Sequence, residues 1–171
     1  MIILGIDPGI SCTGYGVVEK TLDNRIVLIE LGVIRTEASE TMPERLKTIF
    51  HGVSEVIASL NPDAMAIESV FVGKNVNSAL KLGHARAAAI LAGANSLNKI
   101  AEYSPKEVKQ SITGNGSATK EQVQFMVKSI LKLKVVPKPN DAADAVAVAM
   151  TYLQRMKYEN KISAIKNRKR R

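Results

Sequence analysis

Met1-Ile-Ile-Leu-Gly-Ile-Asp-Pro-Gly-Ile10 is an apolar strand that runs into a carboxylate and then a turn. Three other carboxylates occupy matching places. Glu68 ends the apolar run Ala64-Met-Ala-Ile-Glu68, and Asp141 and Asp144 sit three apart in Asn140-Asp-Ala-Ala-Asp144-Ala-Val. Asp7 alone has a bland reading, because Asp-Pro-Gly makes a good turn without any chemistry. Glu68 alone is an ordinary polar strand end, and Asp141 alone could serve the dipole of a helix capped by Asn140. Asp144 is harder to set aside. Ala142, Ala143 and the run Ala145–Met150 surround it, so its helix is apolar all round and expected to be buried. A buried carboxylate needs a metal, a cation or a proton. Spacing of three leaves Asp141 and Asp144 with Cβ atoms about 5–6 Å apart on neighbouring parts of one face.

Working outward, Ile2–Asp7, Tyr15–Glu19 and Arg25–Arg35 read as three strands with short connections, hence antiparallel. Thr41-Met-Pro-Glu44 is a capping box opening a helix that stops at Asn61-Pro62. A strand at Ala64–Glu68, a small-residue helix from about Asn77 to Asn95 and a strand at Ile100–Tyr103 follow. Next come a short helix capped at Ser104, a helix opened by Thr113-Gly-Asn-Gly-Ser117 and running to about Leu133, and a last helix from Asn140 to about Met156. Alternating strands and helices in this half predict parallel strands added to the sheet. The fold class is therefore α/β, a mixed five-stranded sheet flanked by helices. The expected organisation is one domain over 1–156, followed by a basic and flexible tail over 157–171 that adds phosphate contacts or is simply solvated.

At 171 residues and 46% hydrophobic content the chain can bury one full core. Its net charge of +8 calls for an anionic partner, with nucleic acid and membrane surface both open on charge alone. A single cysteine, Cys12, excludes an internal disulfide and fits a reducing cytoplasm. The apolar start is too short for a signal peptide, and no run approaches membrane-spanning length. His51 and His84 are the only histidines, which disfavours zinc. Four carboxylates suit hard, oxygen-preferring Mg²⁺, and could hold two ions about 3.5–4 Å apart.

These motifs resemble the RuvC family of Holliday-junction resolvases, nucleases of the ribonuclease-H-like fold. The resemblance runs from Ile2 to about Tyr152. It rests on Gly5-Ile-Asp7-Pro-Gly9 with Thr13-Gly-Tyr-Gly16, Ala66-Ile-Glu68-Ser-Val-Phe71, Lys74-Asn75, Asn77–Gly83, Val108-Lys109-Gln110, Gly116–Lys120 and Asp141-Ala-Ala-Asp144-Ala. His84 and Ala87 depart mildly from the pattern. The resemblance implies that Asp7, Glu68, Asp141 and Asp144 are the catalytic, Mg²⁺-binding set, with Mn²⁺ able to substitute. It implies DNA contacts by Phe71, Lys74, Lys109 and Lys120. It further implies paired nicking of a four-way DNA junction by a homodimer, leaving 5′-phosphate and 3′-hydroxyl ends, alongside the RuvA–RuvB branch-migration complex.

Two of these residues also stand out physically. Lys120 falls in the first turn of a helix read as capped by Ser117, where the dipole disfavours a cation, so an anion nearby is expected. Phe71 is an aromatic three residues past Glu68, either a hydrophobic lid or a stacking platform for an unpaired base. The stripe Ala79, Gly83, Ala87, Leu91 fits close packing, onto the sheet or onto a partner helix across a two-fold axis. The other functions weighed are a related nuclease on another nucleic acid, a phosphate- or nucleotide-binding module, and a non-catalytic junction binder. Actin-like ATPases share the Gly-Ile-Asp opening but need a far longer chain.

Overall fold

Five strands form one sheet in the order β3-β2-β1-β4-β5. They are β1 (Ile2–Asp7), β2 (Cys12–Lys20), β3 (Ile26–Arg35), β4 (Ala64–Glu68) and β5 (Ile100–Tyr103). The computed structural model describes residues 1–69 and 75–168, the last ten of these as backbone only. β1 pairs antiparallel with β2, and β2 with β3. β4 and β5 then join parallel on the free edge of β1, as the alternating second half predicts.

Strand alternation sorts the side chains into two layers. Leu4, Ile6, Met65 and Ile67 face α1 (Met42–Leu60) and α2 (Val76–Ala94) in one buried cluster. Ile3, Ala64 and Ala66 face the other way, in a cluster completed by α3 (Pro105–Thr113), α4 (Lys120–Ile130) and α5 (Asn140–Arg168). The same parity that sends Ile3 and Gly5 toward α5 sends Asp7 there, and the parity of Ala64 and Ala66 sends Glu68 there. The pairing of Ile6 with Ile67 leaves both carboxylates at the same end of adjacent parallel strands. That end of an open parallel sheet is where ligands bind in α/β folds.

α5 lies directly against β1 and β2 because glycines leave room for it. A Cβ at Gly5 would stand 2.0 Å from the Ala145 carbonyl oxygen, and one at Gly14 would stand 2.1 Å from that of Asp141. Contacts this close are impossible for any side chain, so the two glycines set how near the helix comes.

Four boundaries differ most from the sequence reading. β2 begins at Cys12 rather than Tyr15, because Cys12, Thr13 and Gly14 continue the pairing with β3 and Gly14 also pairs with Asp7 of β1. The cap of α4 is Thr119, not Ser117: its hydroxyl accepts from Gln122 N at 3.3 Å while Gln122 Oε1 accepts from Thr119 N at 2.9 Å. That helix ends at Ile130 rather than Leu133. The last helix does not stop near Met156 but continues through Arg168, since no Gly or Pro interrupts it.

Candidate active site

The four selected carboxylates come from three elements. Asp7 ends β1, Glu68 ends β4, and Asp141 and Asp144 lie in the first two turns of α5. Asp7, Asp141 and Asp144 each offer an oxygen, and these three atoms lie within 4.8 Å of one another. Oxygens on opposite sides of one Mg²⁺ at about 2.1 Å are about 4.2 Å apart, so a small closure would bring the trio onto an ion. Glu68 lies outside this group and is joined to it by a hydrogen bond with Asp7.

Without a cation the carboxylates oppose one another. Burial, then repulsion by Glu68, Asp144 and Asp141, pushes Asp7 up to about 8. Glu68 is raised as well, first by burial and then by Asp144, while its hydrogen bond with Asp7 and the charges of Lys120 and Lys109 pull it back. One proton held by the Asp7–Glu68 pair relieves this repulsion. A site that must hold a proton to tolerate its own charges is one that a divalent cation fits.

Lys120 is the first residue of α4, and its Nζ lies 2.5 Å from Asp144 Oδ2. Burial would lower its pKa. The hydrogen bond to Asp144 and the attraction of Asp144, Asp7 and Asp141 more than offset this, and the ammonium is held firmly charged. The anion expected near Lys120 is therefore first of all Asp144. Lys120 and Lys109 line a cleft of about 230 Å³ with Glu68, Asp144, Pro105 and Val108. Two cations and two carboxylates thus face one opening, while Phe71 and Lys74 lie outside the described residues.

The sequence reading missed three contributors. Cys12 donates a hydrogen bond to Asp141, and burial followed by that bond pushes its thiol up to about 11, leaving it inert. Arg45 clamps the turn after Asp7. Its Nε donates to Thr36 Oγ1 at 2.8 Å, and its Nη2 donates to Ser11 Oγ at 2.8 Å and to Ile10 O at 3.2 Å. Thr36 Oγ1 in turn donates to Ile10 O at 2.5 Å. Gly14 is the third, since it sets the approach of Asp141. Glycine inside an otherwise apolar strand signals such an approach, whereas nothing local marks Cys12 or Arg45.

A mixed sheet of this order with carboxylates at the ends of its central strands defines a nuclease of the ribonuclease-H-like fold. The family described as crossover junction endodeoxyribonuclease RuvC matches residues 3–152. The RuvC of Desulforamulus reducens is 51% identical over 154 residues, covering 90% of this chain and 94% of that relative. That of Geobacter metallireducens is 48% identical over 166 residues, covering 97% of this chain and all of the relative. Among solved structures, T. thermophilus RuvC in complex with Holliday junction substrate superposes with a TM-score of 0.87 at 36% identity, over 93% of this chain and 96% of that one. The chain belongs to the RuvC family of crossover junction endodeoxyribonucleases. Among the described residues no helix is long and apolar enough to cross a membrane.

Proposed function

We propose that this chain resolves four-way DNA junctions by paired, metal-dependent nicks in strands of like polarity, leaving 5′-phosphate and 3′-hydroxyl ends. The observation that carries the reading is the convergence of Asp7, Asp141 and Asp144 within 4.8 Å, beside the Lys120 ammonium and in a member of this family. Asp7, Glu68, Asp141 and Asp144 hold the metal, Mg²⁺ or Mn²⁺, with two ions per subunit. Divalent cations there supply Lewis-acid stabilisation of the attacked phosphate and a more acidic water.

The protein's own groups divide the remaining work. Asp144 holds Lys120 at the mouth of the site, where its charge opposes that developing on the phosphate. Lys109 attracts a neighbouring phosphate, and Lys74 binds the backbone. Phe71 stacks on a base unpaired at the crossover, which draws the scissile strand toward the carboxylates.

The reading includes a homodimer, matching the near two-fold symmetry of a junction. α2 buries Ala85, Ala88, Ala89 and Ala92 against its own sheet. It leaves Leu80 and Leu91 exposed, and a Cβ at Gly83 would meet nothing within 4 Å. An apolar cleft of about 290 Å³, lined by Leu46, Phe50, His84, Ala87 and Leu91, runs along the same face. A second α2 fits this surface. The protein works in the cytoplasm with the RuvA–RuvB branch-migration complex.

A synthetic four-way junction, a matched duplex and an RNA–DNA hybrid, each with Mg²⁺ or EDTA, test the proposal. Symmetric, Mg²⁺-dependent nicks confined to the junction are expected. Equal cutting of the duplex or the hybrid would favour a related nuclease of other specificity.

A further inference from the structure

Most of the charge that makes this protein basic falls in one short stretch of its sequence. Residues 1–156 contain 17 Lys+Arg and 15 Asp+Glu, a net +2. Residues 157–171 contain seven Lys+Arg against the single acid Glu159, a net +6 of the chain's +8. The family match ends at residue 152, just before this run.

The fold gives the run a defined place as far as Arg168. α5 is continuous from Asn140 to Arg168, and at about 1.5 Å per residue Lys157 lies about 20 Å and Arg168 about 36 Å along the axis from Asp144. One helix therefore carries Asp141 and Asp144 at its N-terminal end and Lys157, Lys161, Lys166 and Arg168 toward its C-terminal end, where its dipole also favours cations. Lys20, at the far end of β2, adds to this pole, because Lys20 N donates to Met1 O at the start of β1, opposite Asp7. Lys20, Asn24, Gln154, Lys157 and Tyr158 line a cleft of about 270 Å³ there, with Tyr158 64% exposed.

We propose that the C-terminal part of α5, with the cleft formed by Lys20, Lys157 and Tyr158, is a second DNA-backbone contact, separate from the acidic centre. The partner is the phosphate backbone of a duplex arm. A near-neutral nuclease body with a net acidic centre needs a source of sequence-independent attraction, and residues 157–171 hold most of the net charge available for it. The reach of about 36 Å is about one turn of B-form duplex, so the contact falls on an arm rather than at the crossover. The proposal rests on the nuclease reading above.

The test uses the full chain with Lys157→Gln, Lys161→Gln, Lys166→Gln and Arg168→Gln combined, and a separate Lys20→Gln variant. Glutamine keeps helix propensity, and thermal melting checks the fold. Junction affinity is measured in Ca²⁺ across a salt series. The quadruple variant is expected to lower the log–log salt slope by about 2–4, at about 0.9 per lost phosphate contact, and to weaken binding to junction and plain duplex alike. Lys20→Gln is expected to lower it by about 1. With the junction saturated by enzyme at low salt, the Mg²⁺-dependent single-turnover rate of the bound complex should be retained, which keeps the nuclease reading separate from this one. An unchanged slope in the quadruple variant overturns the proposal. So does a variant that binds DNA normally but loses binding to vesicles of anionic phospholipid, since the pole would then serve a membrane.

Discussion

Lys120 Nζ and Asp144 Oδ2 meet at 2.5 Å across the junction of α4 and α5, joining a cation at one helix start to a carboxylate near another. The ion pair holds the lysine at the mouth of the acidic site and offsets part of the repulsion among the carboxylates.

Lys120→Ala should remove charge stabilisation that develops only in the transition state, a loss of about 10²–10³ in the cleavage rate. Phe71→Ala should cost about 1–3 kcal/mol of stacking, felt mainly in cleavage. A junction already unpaired at the cut site should partly rescue Phe71→Ala but not Lys120→Ala. Single-turnover rates on paired and pre-unpaired junctions decide between the roles, and equal rescue of both variants would refute the assignment.

Asp7→Asn, Glu68→Gln, Asp141→Asn and Asp144→Asn should each nearly abolish cleavage while leaving junction binding intact, because the amides keep the shape and remove repulsion toward phosphate. Calorimetry with Mn²⁺ should find weakened ion binding in each. Normal nicking by any two variants would break the shared-site reading.

The ion-free fold should show a specific pH dependence. Asp7 stands at about 8 against its ordinary 3.8. Between these values the folded protein keeps a proton that the unfolded chain releases, so stability falls as pH rises through this window and levels off above it. The amide of the Asp7→Asn variant has no such proton to release. In EDTA, Asp7→Asn should therefore melt higher than the parent by a margin that is absent below the ordinary value and widens up to about pH 8. Added Mg²⁺ should narrow the margin by stabilising the parent. A margin constant with pH would show that Asp7 is not the group responsible.

Gly14→Ala should disturb chemistry more than DNA binding. Its methyl would overlap the Asp141 backbone, at 2.1 Å from the carbonyl oxygen and 2.4 Å from the carbon. α5 must shift, at a cost of about 1–3 kcal/mol or more, and it carries Asp141 and Asp144 with it. Thermal melting and Mn²⁺ titration should both register the change. Unaltered ion affinity would mean that the helix moves without disturbing the trio.

Gly83→Leu tests the partner face. A side chain there meets open space within the subunit, so the monomer fold should be undisturbed. Sedimentation should shift from dimer to monomer, and symmetric paired cuts should give way to single nicks. A parent that sediments as a monomer at micromolar concentration would remove the basis for that interface.

The elements and the acidic residues were legible from local pattern. An apolar run of alternating faces ending in Asp7, its counterpart ending in Glu68, and a carboxylate inside the apolar helix around Asp144 are local patterns, and side-chain period and burial cost make them legible. What these residues meet depends on how distant segments pack. The insertion of β1 between β2 and β4 sets Asp7 beside Glu68. The approach of α5 over Gly5 and Gly14 sets Asp141 and Asp144 beside Asp7, and the seat of α4 on α5 pairs Lys120 with Asp144. The clamp of Arg45 and the hydrogen bond of Cys12 are equally non-local. Periodicity states which face a residue occupies, whereas the distance between faces depends on how closely distant backbones can pack.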